Sequence, residues 1–445
     1  MRRRLLGLAL ALLVFAAGPA RAVTVETVRS PQGITAWLVE DHSQKVISLN
    51  FSIRGGAASD PAEKAGLSSF AMGLLDEGAG PYDSGQFQGK LEDLSASVSF
   101  DASADYLQGS LKTLSPNRDE VFELLQLALT QPHFDEPAVE RVRAQIDQLI
   151  DNQEQNPDAL ATLGWLRSQF PGHPYARSRY GSKASIAAIT IADLQEFARA
   201  RLGRDRLKIA VVGDIAPADL ETLLDRTFGG LPAVAVVASN PDDRVPADAG
   251  KVILIKKPVP QSVIRFGEQG IGIHDPDIYA AMVLNYILGG SPFTSRLGNE
   301  VREKRGLAYT IGTSTAHFDH ADLLLGFVGT QNAKAAETIK IIRSEWTGLR
   351  DASPSAKEVE DAKTYLTGSY VLGLDSTGAI AQRLLGLQES GFPSDYITRR
   401  PKLIGAVTVE DVKRVARRLL DPAKLSFLVV GNPEDLKPDE VVQTE

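Results

Sequence analysis

Arg302 and Tyr309 stand seven residues apart in the sequence. They lie at the end of the stretch Gly289-Gly290-Ser291-Pro292-Phe293-Thr294-Ser295-Arg296, which continues through Glu300-Val301-Arg302-Glu303-Lys304-Arg305-Gly306-Leu307-Ala308-Tyr309. A guanidinium and a phenol both donate hydrogen bonds, so together they can hold a peptide carbonyl or a developing oxyanion. The Gly-Gly-Ser-Pro cluster ends the apolar run before it. Arg296 to Lys304 predicts a short helix, and Gly306 suits the left-handed position just past a helix C-terminus. From Leu307 to Thr315 the pattern turns β-like, with Tyr309, Ile311 and Thr313 expected on one face. Gly289, Gly290 and Ser291 are candidates for close approach by a substrate backbone. Spacing alone leaves a second reading, in which Arg302 is one surface charge among several and Tyr309 is a half-buried strand residue.

The elements that must position this pair belong to a duplicated chain. Thr190 opens a helix that is followed by the apolar strand Leu207-Lys208-Ile209-Ala210-Val211-Val212-Gly213. Thr408 opens another, followed by Leu425-Ser426-Phe427-Leu428-Val429-Val430-Gly431. The two copies are 218 residues apart at both the threonine and the glycine. In each, the threonine caps a helix with an acidic residue in its first turn. So long a period means two homologous domains. Strands followed by runs of helices predict an α+β fold, with two homologous lobes that are each an antiparallel sheet covered by helices. The boundaries are 23–231 for the first lobe, 232–250 for a proline-bearing linker and 251–445 for the second.

Residues 1–22 read as a signal peptide, with Arg2-Arg3-Arg4, an apolar run from Leu5 to Ala17, and Ala20-Arg21-Ala22 as the cleavage site. The expectation is an exported, periplasmic protein with no membrane span after signal removal. Without Arg2, Arg3, Arg4 and Arg21, 44 basic side chains face 56 acidic ones, a net charge of about −12. That argues against nucleic acid as a partner. The absence of cysteine excludes disulfides, thiolate metal sites and a cysteine nucleophile. Of the six histidines, only His317 and His320 are close in sequence; they read as a polar hairpin turn, with Asp319 as a third ligand in the less favoured metal reading. Asp76 and Glu77 have no sequence partner that would make either a base.

The Arg302/Tyr309 segment, the two-lobe repeat and the linker together resemble the M16 family (insulinase, pitrilysin, mitochondrial processing peptidase), in its M16B form. The resemblance implies an M16/LuxS-metallohydrolase-like clamshell around an unfolded peptide. It also implies that Arg302 and Tyr309 grip substrate and stabilise the transition state. Active members carry His-x-x-Glu-His on a helix of the first lobe, where two histidines hold zinc and the glutamate is the general base. Here that segment reads Gly66-Leu67-Ser68-Ser69-Phe70-Ala71-Met72-Gly73-Leu74. Ser69, Met72 and Gly73 replace the three motif residues, and Leu149 replaces the third ligand, a glutamate on a later helix. The resemblance therefore implies a non-zinc subunit that binds no cofactor itself. Zinc is expected on a partner M16B subunit carrying His-x-x-Glu-His, with peptide cleaved between the two chains. The alternative is a non-catalytic assembly protein or a peptide-binding clamp, homodimeric or like a respiratory core subunit.

Overall fold

The computed structural model describes residues 24–237, 241–247 and 250–443; the expected signal peptide lies outside them. The first lobe contributes β1 (Glu26–Arg29), β2 (Thr35–Glu40), β3 (Val46–Arg54), the short pair β4 (Gly78–Ala79) and β5 (Tyr82–Asp83), β6 (Ser97–Ala102), β7 (Tyr106–Leu114) and β8 (Leu207–Gly213). The second contributes β9 (Val252–Lys256), β10 (Gln261–Gln269), β11 (Ala308–Phe318), β12 (Ala321–Gln331), β13 (Ser426–Gly431) and β14 (Glu440–Val442). Each lobe holds a six-stranded sheet, in the order β1-β2-β8-β3-β7-β6 and β11-β12-β10-β13-β9-β14. Reading β2-β8-β3-β7-β6 against β9-β13-β10-β12-β11 gives the same order twice, which is the duplication in three dimensions.

The sheets are mixed, and this corrects the expectation of purely antiparallel ones. β2 runs parallel to β8, and β9 runs parallel to both β13 and β14. The cause is the helix-to-strand unit that the repeat flagged. Thr190 and Thr408 each cap a helix by accepting from the amide three residues on, in reciprocal boxes with Asp193 and Asp411. Each helix then returns its strand to the sheet interior, where it meets one neighbour parallel and the other antiparallel.

Each lobe covers one face of its sheet with its own helices and the other face with a helix of the opposite lobe. The helix Pro157–Gln169 packs on β10 and β13, where Trp165 is buried with Ile253, Ile255, Leu428 and Val430. The helix Thr377–Glu389 packs on β3 and β8, where Leu384 and Leu385 meet Ala210 and Val212. Gln388 donates to the Ile209 carbonyl at 2.8 Å, and Asn50 donates to Gln382 at 2.6 Å. The hairpin tip Asp319-His320 adds a polar clamp. Tyr106 donates to Asp319 at 2.7 Å, Arg54 pairs with Asp319, and the Asp319 amide donates to Asp105 at 3.0 Å. His317 and His320 bind Asp322 and Asp243, so the pair belongs to this turn and its surroundings. Separating the lobes would expose two apolar cores, each worth roughly 25 cal/mol per Å² buried.

One buried acid in the second lobe gives a pH-dependent prediction. Glu268 on β10 accepts from the Trp346 indole and from the Asp421 amide at 3.1 Å. Burial pushes its carboxyl up from 4.5 to about 8. The folded state therefore binds more protons than the unfolded chain between about pH 4.5 and 8, and stability falls as pH rises through that window. Glu268→Gln keeps the acceptor and removes the charge. Thermal unfolding at pH 5.5 and 8.5 is expected to show a smaller loss for the variant; equal losses would remove Glu268 as the cause.

Candidate functional site

Ile278–Asn285 is α-helical and widens into a π-helical turn over Tyr286–Gly290. The wide turn presses Gly289 onto β11, where a Cβ would sit 2.6 Å from Thr313 Oγ1 and 2.9 Å from the Thr313 amide nitrogen. The loop that follows is tied by its own side chains. Ser295 donates to the Ser291 carbonyl, Thr294 donates to Ser291 Oγ at 2.7 Å, and Ser295 Oγ accepts from the Gly298 amide at 3.1 Å. The predicted helix over Arg296–Lys304 is present, but Gly298–Glu303 is again π-helical, and the Lys304 amide reaches back five residues to Asn299. Wide turns of this kind gather at functional sites.

The helix ends as the sequence predicts. Gly306 has φ +60°, its amide donates to Arg302 and the Leu307 amide donates to Val301, both at 2.9 Å. That turn sets Arg302 beside Tyr309, with the guanidinium carbon 5.2 Å from the phenol ring centroid. The expected shared face of Tyr309, Ile311 and Thr313 is corrected. Between Ala308 and Ile311, β11 advances three residues while β12 advances two, from Thr330 to Val328. The extra residue is a β-bulge, which turns side chains that plain alternation would bury. Ile311 and Thr313 are buried, whereas Tyr309 is 81% exposed. β11 is also the edge strand of its sheet, so an extended peptide has a ladder to join.

Arg302 itself is drawn in, with a side chain 24% exposed. Its guanidinium lies over the Phe293 ring at 4.6 Å as well as over Tyr309. Its one ion pair is Nε to Glu303 at 3.4 Å, and its terminal nitrogens have no hydrogen-bond partner among the described residues. The neighbouring charges are spent on one another. Arg296 pairs with Glu358, and Glu300 accepts from Lys304 and Arg305, which hold its carboxyl below the usual range. Of the glycine-rich candidates, Gly289 and Ser291 are buried and serve the packing and the loop ties; only Gly290 is exposed. Phe293 is a residue that sequence alone does not point to, because an aromatic in a Pro-x-Thr loop carries no sequence signal of what it covers.

The positions of the family zinc motif do not fit a metal. The helix is short, Leu67–Met72. Ser69 Oγ donates to the Arg179 carbonyl at 2.8 Å, Met72 is fully buried, and Gly73 has no side chain. Leu149, on the helix Glu136–Gln155, is aliphatic and 42% exposed. Nearby acids are engaged elsewhere. Glu77 accepts from Ser84 at 2.5 Å and pairs with Arg141, and Asp76 is pushed up to about 6 by burial. Among the described residues no group of three or more His, Cys, Asp or Glu side chains converges as a metal cage.

Two family models match, "Insulinase (Peptidase family M16)" over residues 35–183 and "Peptidase M16 inactive domain" over 188–366. The chain belongs to the M16 family. Among relatives of this M16 chain, the "Non-peptidase homolog YmxG" of Helicobacter pylori is 24% identical, covering 88% of this chain and 90% of that one. The "Probable mitochondrial-processing peptidase subunit beta" of Schizosaccharomyces pombe is also 24% identical, covering 92% of each. Among solved structures, a peptidase M16 inactive domain from Pseudomonas fluorescens superposes with a TM-score of 0.83 at 27% identity, over 93% of this chain and all of that one. A Helicobacter pylori protease gives 0.82 at 17% identity, a likeness of fold. The matched models meet at residues 183–188, inside the first lobe, and together span most of the M16 chain. Among the described residues, no helix is long and apolar enough to cross a membrane.

Proposed function

We propose that this chain is the substrate-binding, zinc-free subunit of a two-chain M16B peptidase of the periplasm. A partner carrying His-x-x-Glu-His supplies the zinc and the water that attacks the scissile carbonyl. Tyr309 donates to the oxyanion, and Arg302 holds a backbone carbonyl or carboxylate of an unfolded peptide lying along β11. The observation that carries this reading is the unspent end of Arg302 beside an exposed Tyr309. The exchanged helices add support, because they bind the two lobes of this chain to each other. A clamshell that opens and closes around peptide is then most simply made with a second chain.

The test is hydrolysis of a mixed peptide pool with zinc, by this chain alone and then with an M16 partner bearing the intact motif. Activity is expected only in the mixture. In that mixture Arg302→Lys is expected to lower kcat/KM roughly tenfold, because one ammonium replaces a planar fork of donors. Activity of the chain alone, abolished by a chelator, would overturn the division of labour. The name of the Helicobacter relative, a non-peptidase homolog, favours a second reading as an assembly or peptide-binding protein. Association with the partner without any hydrolysis would favour that reading.

A further inference from the structure

We infer that Phe293 is a positioning residue for Arg302, holding the guanidinium in the plane that presents its terminal nitrogens to substrate. This rests on the reading of Arg302 and Tyr309 given above. Phe293 is 60% exposed, and Tyr309 is 81% exposed, yet the arginine they flank is only 24% exposed. What both cover is the same guanidinium, at 4.6 and 5.2 Å from the ring centroids. An arginine loses several rotamers to be held in one geometry, and a cation over a ring face offsets that loss.

The loop is built to keep Phe293 in place. Pro292 fixes the backbone just before it. On the other side Thr294 is held by Ser291, and its hydroxyl also lies 3.2 Å from the Tyr286 hydroxyl. Gly298 allows the loop to fold back, since a Cβ there would sit 2.8 Å from the Pro292 carbonyl oxygen. Phe293 contributes no hydrogen bond and no charge, so its effect must pass through Arg302. An aromatic ring with a flat face is required, and apolar bulk alone does not serve.

Two readouts test this. The first uses the isolated chain labelled with 15N-arginine. The Arg302 Nε–H resonance, assigned by its loss in Arg302→Lys, is expected to carry a ring-current shift that largely collapses in Phe293→Ala and survives in Phe293→Tyr. The second is turnover in the mixture with the zinc-bearing partner. Phe293→Ala and Phe293→Leu are each expected to lower kcat/KM about tenfold, and Phe293→Tyr to restore it. Three results would overturn the inference. One is full activity of Phe293→Ala where Arg302→Lys is impaired. Another is Phe293→Leu performing as well as Phe293→Tyr. The third is loss of partner association in Phe293→Ala, which would make Phe293 an interface residue. If Arg302→Lys itself leaves turnover unchanged, the functional reading of Arg302 fails, and the resonance still reports whether Phe293 orders it.

Discussion

Tyr309→Phe is expected to lower kcat of the assembled peptidase by about 10²–10³-fold while leaving KM and partner association nearly unchanged. The substitution removes one hydroxyl and nothing else. The ring that lies 5.2 Å from the Arg302 guanidinium remains, so the arginine keeps its neighbour. The bulge that aims the side chain outward is a backbone feature between Ala308 and Ile311 and is untouched. At 81% exposure the residue adds little to folding, and stability should stay within about 0.5 kcal/mol. A donor that meets charge only as it develops acts on kcat, whereas a donor that binds substrate equally in both states acts on KM. Steady-state rates in the mixture, with peptide well above and well below KM, separate the two. Turnover equal to that of the unaltered chain would end the assignment of Tyr309 to the transition state. A rise in KM alone would move it to ground-state binding beside Arg302.

Much of this site was legible because local rules carried it. The caps at Thr190 and Thr408, the left-handed Gly306 and the apolar strand Leu207–Gly213 follow from propensity and pattern. The repeat was visible for the same reason, since each copy restates the same cap, helix and strand. What failed to show in the sequence depends on register or on distant parts of the chain. A bulge adds one residue to β11 relative to β12 and leaves no mark on hydrophobic alternation, so alternation alone puts Tyr309 on the wrong face. The π-helical turn over Tyr286–Gly290 presses Gly289 onto Thr313, a contact between residues that sequence reading treats as separate elements. The parallel pairs follow from where β8 and β13 insert, which is a topological choice. Pro157–Gln169 reads as one more helix of the first lobe, and only its packing on β10 and β13 reveals that it closes the second. Phe293 gains its meaning solely from lying over Arg302.

The fold around the short helix Leu67–Met72 rests on a buried charge pair, and disrupting it should destabilise the protein by about 3–5 kcal/mol. Asp60 and Arg201 have side chains 0% and 5% exposed, and Arg201 donates to Asp60 at 2.7 Å. The aspartate also accepts from the Ser68 hydroxyl at 2.5 Å and the Ser68 amide at 3.0 Å, so it holds the start of the helix Leu67–Met72. The arginine donates onward to the carbonyls of Gly55 and Gly56 at the end of β3, and its guanidinium lies over Phe197 at 4.8 Å. Asp60→Ala strands a buried cation and an amide without an acceptor. Arg201→Met strands a buried carboxylate and two carbonyls. Urea unfolding of each single variant should show the full loss. The double variant Asp60→Ala/Arg201→Met should recover part of it, because neither charge is then left unpaired; the carbonyls of Gly55 and Gly56 still lose their donor. Single variants within about 1 kcal/mol of the unaltered chain would mean that water reaches the pair. The expected large loss would mean that the first lobe keeps its helix for architecture.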